Sequence, residues 1–339
     1  MNFTPQTIKT AAGFVTLTAL IFLAFPFGRT GLKAQGVGSA GPKVQGAKGD
    51  PLRDPRETHL RNLRQLTFGG TNAEAYFSFD GLRLVFQATR EGFDCDQIFV
   101  MDLGEPEPKL VSTGKGRTTC GYFFPDGEHV LYPSTHLSGD GCPPRPDYSR
   151  GYVWPVYPSY QIFRAAVEGG SLEALTHAAG YNAEATLSPD GTRMVFTSTR
   201  DGDLDLYEMD LESRQVSRLT DEVGYDGGAF YSPDGEWIVY RAHHPTSPRD
   251  RKHYRDLLAE NLVEPMQMEL FVMRADGSGR RQITRLGKAN FAPFWLPDGK
   301  RVIFSSNFES ESPRQFELYV VGLDGGATER ITFTGGFNS

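Results

Sequence analysis

The stretch SPDGTRMVFTSTRDGDLDLYEMD, residues 188–210, decides how the chain folds. Its opening is a turn signal: Pro189 presets φ, Asp190 can bond its own backbone, and Gly191 accepts the positive φ that closes a hairpin. RMVFTST and DLYEMD follow, both with the β-branched and aromatic content of strands. The phrase then recurs, as SFDGLRLVFQATREG from 78, FPDGEHVLYPSTH from 124, SPDGEWIVYRAHH from 232 and LPDGKRVIFSSNF from 296. Its Asp-Gly pairs begin at Asp80, Asp126, Asp190, Asp234 and Asp298, with spacings of 46, 64, 44 and 64 residues. The shorter spacings suit one β-propeller blade, and the longer ones a blade with an insertion of about twenty residues.

Composition agrees. The 339 residues are 39% hydrophobic and 12% aromatic, and 38 Gly with 22 Pro suit a fold rich in turns. LVF, MVF, IVY and VIF are continuous apolar runs, expected of strands covered on both faces by neighbouring blades. The net charge of −7, without any basic cluster, argues against nucleic acid as a partner. The expected class is all-β: a propeller over residues 61–339 built of four-stranded blades, strands a to d from the inside out, five of them complete.

Residues 1–34 read as an export signal: Lys9 precedes the uncharged run AAGFVTLTALIFLAFPF (11–27), and Leu32-Lys33-Ala34 offers a cleavage site. An uncleaved anchor is the alternative and the one expected route to a membrane. Residues 35–60, poor in large apolar side chains, read as a flexible linker. The expected location is periplasmic or secreted.

Aligned on Asp-Gly, the residue closing strand b is Arg90, His136, Arg200, His244 and Phe308. His136 precedes the insertion 137–158 and His244 the insertion 245–266. In the second, Ser247 and Pro248 form an N-cap and N1 pair, and Tyr254, Leu257, Leu258 and Leu262 keep helical spacing until Pro265. In an antiparallel meander the b–c and d–a connections share one end, so both insertions decorate the same face. Strand a opens there too, with Asn72, Thr118, Asn182, Asp226 and Asn290 eight residues before each Asp, and Glu74, Cys120, Glu184, Gly228 and Ala292 six before. Long loops on one face are where binding concentrates. The expected binding face comprises Asn72, Glu74, His136, Tyr148, Tyr152, Trp154, Asn182, Glu184, Asp226, His244 and Tyr254. Arg90 and Arg200 are expected to pair with Asp94 or Asp96 and with Asp201, Asp203 or Asp205.

Cys95, Cys120 and Cys142 imply one bridge and one leftover thiol in an exported protein, with Cys120–Cys142, at one end of the same blade, the expected pair. No cofactor is expected. The alternative is a divalent metal held by His136, His244, Glu74 and Glu184, which mix acceptable ligand types.

The pattern SPDG, VF, RDG, DLY, MD and RLT resembles the PD40 or WD40-like repeat of the TolB-like propellers, over residues 63–337. The resemblance implies a periplasmic propeller that binds a protein or envelope component. It departs from TolB in having only the linker where TolB carries an α/β domain. Propellers of this kind also serve oligopeptidases and oligogalacturonate lyase, so a metal-assisted, polysaccharide lyase-like enzyme or an accessory propeller of a peptidase system stands as the alternative. No Gly-x-Ser-x-Gly motif and no other complete catalytic set is present, so no catalytic residue is assigned and a non-enzyme is favoured.

Strand count raises one more expectation. LRQLT (63–67) matches the d strand SRLT (217–220) with no a, b or c strand before it, while the fifth unit already owns ERITF (329–333). TGGFNS then reads as the approach to another strand a. Six blades are implied, in a chain truncated by about 35 to 45 residues, with either a gap or residues 63–67 as an extra strand.

Overall fold

Each Asp-Gly hairpin is tied by its own side chains. Ser188 Oγ donates to Asp190 Oδ1 (2.6 Å), Asp190 accepts from Thr192 N (3.1 Å), and Gly191 adopts φ +71°. Ser78 with Asp80 and Ser232 with Asp234 repeat the arrangement. The closing Leu-Thr of strand d has its own reason. Leu175 and Leu219 join the core, and the buried hydroxyls of Thr176, Thr220, Thr284 and Thr332 accept from the amides of Ile162, Leu206, Leu270 and Leu318 at 2.8–2.9 Å. An amide without a ladder partner is thereby satisfied in each of these blades.

In this computed structural model, which describes residues 54–105 and 107–339, Leu52 and the pair Ile21–Phe22, these units form a propeller of five four-stranded antiparallel blades. Blade 1 runs Thr71–Phe77, Arg83–Thr89, Gln97–Asp102 and Lys109–Leu110. Blade 2 runs Tyr122–Phe123, His129–Ser134, Gln161–Ala166 and Leu172–Ala174; blade 3 runs Asn182–Leu187, Arg193–Ser198, Asp205–Asp210 and Val216–Arg218. Blade 4 runs Tyr225–Tyr231, Trp237–His243, Glu269–Arg274 and Arg281–Gln282; blade 5 runs Asn290–Trp295, Arg301–Ser306, Glu317–Gly322 and Glu329–Arg330.

The core lies between blades rather than within them. Val85, Ile98 and Val100 of blade 1 meet Phe123, Tyr132 and Phe163 of blade 2, and equivalent clusters join blades 2 to 3, 3 to 4 and 4 to 5. No such cluster joins blade 5 to blade 1 among the described residues. Leu60 and Leu63 cover Val320 and Ile331 of blade 5, while Leu66 covers Leu84, Phe86 and Phe99 of blade 1. Residues 63–67 form no ladder strand, because Leu63 and Leu66 face different blades and wedge between them. Packing begins before residue 61: Glu57, 1% exposed, accepts from Phe333 N (2.9 Å), and Leu60 is 1% exposed. The expected export signal lies outside the described residues, save Ile21–Phe22, whose backbone pairs with Phe337–Asn338.

One backbone device recurs on the innermost strand. The residue six before each Asp takes positive φ in all five blades: Glu74 +49°, Cys120 +50°, Glu184 +54°, Gly228 +58° and Ala292 +46°. In blades 1, 3, 4 and 5 the a–b register shifts at this point. A bulge re-aims its side chain, and here it turns these residues toward the propeller axis.

Candidate binding face

The two insertions meet. Trp154–Pro155 of the first pairs antiparallel with Leu262–Val263 of the second, so loops from blades 2 and 4 form one small sheet. In the second, Ser247 caps the helix Pro248–Ala259 by accepting from Asp250 N (3.0 Å), and Tyr254 and Leu257 face inward. The helix stops at Ala259, short of the expected Leu262: Asn261 turns at φ +58° and Leu262 enters the strand. Tyr254 donates to Asp203 and lies within hydrogen-bond distance of the Gly224 carbonyl. Val156, Tyr160, Tyr181, Tyr225, Tyr254, Val263, Phe291 and Phe316 then pack as one apolar cluster drawn from blades 2 to 5 and both insertions. This cluster is a cap over the channel.

Beneath it lies a polar knot. Glu184 Oε2 accepts from Arg241 Nη2 (2.8 Å) and from Tyr225 Oη (2.7 Å), and Oε1 accepts from Tyr181 Oη (3.0 Å). Trp154 lies over the Arg241 guanidinium at 5.1 Å and packs on Phe291 at 5.1 Å, linking cap to knot. Burial raises the Tyr181 and Tyr225 phenols far above their ordinary value, so both remain donors. The charges of Glu74 and Glu184 act on the Cys120 thiol, so side chains of blades 1, 2 and 3 share one electrostatic environment at the axis. Burial pushes the Cys120 thiol up and Glu74 reinforces it, leaving a protonated sulfur rather than a nucleophile. Glu74 is enclosed by the channel walls, and burial raises its carboxyl, yet its side chain stays open to solvent. At the opposite end of the channel Tyr76, Tyr122, Phe230 and Phe294 fill the throat, their rings 5.2–6.4 Å apart where they touch.

Sequence reasoning missed Arg241. Its signal was present, because the strand b position that holds Gln87, Pro133, Thr197 and Ser305 elsewhere holds Arg here, opposite a Gly-Gly pair in strand a. A Cβ on Gly228 would stand 2.9 Å from the Arg241 guanidinium carbon, and one on Gly227 would stand 2.8 Å from Glu184 Oε2. The two glycines make the room.

The residue closing strand b has a common role. Arg90, His136, Arg200, His244 and Phe308 each lie over the strand c aromatic of their own blade: Phe99, Phe163, Tyr207, Phe271 and Tyr319. Arg90 and Arg200 do not form the expected ion pairs with loop aspartates. Their guanidinium planes stack on the rings instead and donate to Asn72 Oδ1 (3.1 Å) and Asn182 Oδ1 (3.2 Å). In blade 4 both partners change, and His244 Nε2 meets Asp226 Oδ1 at 3.0 Å while Nδ1 faces Glu222 at 3.4 Å. Burial opposes a charge on His244, but the bond and charge of Asp226 outweigh it and hold its pKa above the usual imidazole value. In blade 5 Phe308 cannot donate, and Asn290 Oδ1 is left buried and unpaired.

The cysteine expectation is corrected. The bridge joins Cys95, in the b–c loop of blade 1, to Cys142 of the first insertion, and Cys120 is free. The bulge turns Cys120 inward to the axis, away from the loops that carry the other two. The four residues considered for a metal do not assemble either. His136 bonds Ser134 Oγ (2.9 Å) over Phe163 and His244 sits between its two acids, while Glu74 and Glu184 are in the channel. Among the described residues no three His, Cys, Asp or Glu side chains stand within reach of one ion. Of the expected face, Trp154 and Tyr254 are inside the cap, whereas Tyr148 and Tyr152 are 54% and 59% exposed. No described helix is long and apolar enough to cross a membrane.

The chain is thus a five-bladed propeller whose two insertions join on one face. Residues 155–250 match the PD40 family, described as the TolB beta propeller domain. A TolB homolog of Chlorobium luteolum is 26% identical over 146 residues, 43% of this chain and 28% of that protein. The Tol-Pal system protein TolB of Thioalkalivibrio sulfidiphilus is 41% identical over 70 residues, 21% of this chain and 15% of that one. These matches span less than a third of either relative. The crystal structure of TolB from Acinetobacter baumannii superposes with a TM-score of 0.63 at 17% identity, over 83% of this chain and 59% of that one, a likeness of fold.

Proposed function

We propose that the chain is an exported envelope protein that works as a protein-binding platform, engaging its partner through the face that carries both insertions. The joining of the two insertions supports this reading most. Loops from two different blades are built into one shared cap, and the arm beside it presents Tyr148 and Tyr152 to solvent. Exposed aromatic side chains held on a rigid base are the usual anchors of an interface. The similarity to TolB proteins, one named for the Tol-Pal system, supports an envelope location and a protein as partner. The test is capture from envelope extract by wild type, by Tyr148→Ser/Tyr152→Ser, and by a control carrying Phe79→Ser and Leu82→Ser at the opposite end. Loss of one captured band with the first variant and retention with the control supports the reading. Equal capture by the wild type and the first variant would contradict it.

A further inference from the structure

We infer that the Cys95–Cys142 bridge is a redox-sensitive tether that keeps the arm 137–152 ordered, and that reduction frees this arm while leaving the cap and propeller folded. The inference about affinity that follows rests on the recognition role proposed above; the inference about order does not.

The first insertion has two halves of different character. From Val153 onward it is anchored: Val153, Val156 and Tyr160 are 2–4% exposed, and Trp154–Pro155 is locked to Leu262–Val263. Between 137 and 152 every described side chain is exposed or half-exposed. Among the described residues, the polar attachments seen between that arm and the rest of the protein are few. Gly116 N donates to Asp140 O (2.8 Å), Lys115 Nζ meets Asp140 at 3.0 Å on the open surface, Tyr157 Oη donates to Pro144 O (2.6 Å), and at the arm's far end Trp154 Nε1 donates to Tyr152 Oη (3.0 Å). An exposed ion pair contributes little, and segments with few buried contacts open locally at small free-energy cost. The covalent link to blade 1 is therefore what fixes the middle of the arm. It closes a separation of 47 residues, and removing it returns conformational freedom to the arm.

The chemistry favours attack from outside. Cys142 is exposed and Cys95 is 3% exposed, beneath the b–c loop. A dithiol reductant attacks Cys142 Sγ as its thiolate, the Sγ–Sγ bond breaks, and Cys95 leaves as a thiolate that takes up a proton. The second thiol of the reductant resolves the mixed disulfide, so Cys142 leaves as a thiol and the reductant departs as a cyclic disulfide. Two electrons pass from the dithiol to the bridge, and two thiols are left on the protein. Cys120, turned into the channel, takes no part.

Hydrogen–deuterium exchange on the full chain tests the tether, comparing oxidised protein, protein with dithiothreitol, Cys142→Ser and Cys120→Ser. Exchange over 137–152 is expected to rise about tenfold or more on reduction and in Cys142→Ser, with 153–160 and the blades unchanged and Cys120→Ser like wild type. No change over 137–152 on reduction overturns the tether, as does exchange that rises equally through blade 2. Partner capture, measured with and without reductant, separates the two readings. Weaker capture in parallel with arm opening supports both. Capture indifferent to an arm that demonstrably opens leaves the tether standing and overturns the recognition role.

Discussion

Blades 1 and 3 are written in nearly the same words and live in different surroundings. Strand a of blade 3, Asn182–Leu187, is buried at every position, whereas strand a of blade 1, Thr71–Phe77, has no buried position and is exposed at Thr71, Glu74 and Phe77. The hairpin chemistry is the same in both: Ser78 and Ser188 bind Asp80 and Asp190 alike, and Arg90 and Arg200 make the same bond to Asn72 and Asn182. The difference lies in the neighbours. Blade 3 is clamped between blades 2 and 4, while among the described residues one face of blade 1 is covered by the segment that ends in Leu66. Local sequence therefore makes the blade, and its neighbours supply much of its burial.

The largest expected effect breaks the buried pair that joins blades 3 and 4. Arg241→Met leaves Glu184 buried with two phenols and no counter-charge, and is expected to cost about 3–5 kcal/mol in denaturant unfolding. If it costs under about 1 kcal/mol, the knot is not structural.

Equivalent apolar positions sharpen the comparison next. Leu187, 2% exposed, and Phe77, 44% exposed, both stand three residues before their Asp. Leu187→Ala is expected to lower stability by about 2–5 kcal/mol and Phe77→Ala by less than about 1 kcal/mol, although Phe is the larger side chain. Equal costs would show that blade 1 is as enclosed as blade 3.

Blade 4 adds a pH dependence that blades 1 and 3, with Arg at this position, lack. The folded pKa of His244 lies above the ordinary 6.5 because the bond and charge of Asp226 outweigh the opposing effect of burial. A group raised on folding contributes stability that is full below its unfolded pKa and fades as pH rises through the folded one. Thermal stability is therefore expected to fall from about pH 6.5 upward, and His244→Gln should flatten that fall. A slope unchanged in the variant would place its origin elsewhere.

The smallest effect is a gain. Phe308→Arg restores the stacked guanidinium of blades 1 and 3 and gives the unpaired Asn290 Oδ1 a donor. A rise of about 0.5–1.5 kcal/mol is expected by denaturant titration. A loss would mean the Phe308–Tyr319 contact matters more than the missing bond.

Most of the fold was legible because it is local. Turn residues, apolar runs and the Asp-Gly period are encoded within a few residues of one another, and so is the Ser247 cap. What was not legible depends on side chains from distant blades converging. Arg241 reaching Glu184 and Cys95 rather than Cys120 meeting Cys142 require knowing that a left-handed bulge turns position 120 inward. Of the expected face, the aromatics divide on the same ground: spacing located Trp154 and Tyr254 in insertions, but only the pairing of those insertions puts them inside the cap and leaves Tyr148 and Tyr152 outside.

The central claim is that the capped face, and not the turn face, meets the partner. Site-specific photo-crosslinking from intact cells tests it most directly, with the crosslinker placed in turn at Tyr148, Tyr152, Phe79 and Leu82. The account predicts one discrete adduct from Tyr148 and Tyr152 and none from the other two. Adducts confined to Phe79 and Leu82 would contradict it.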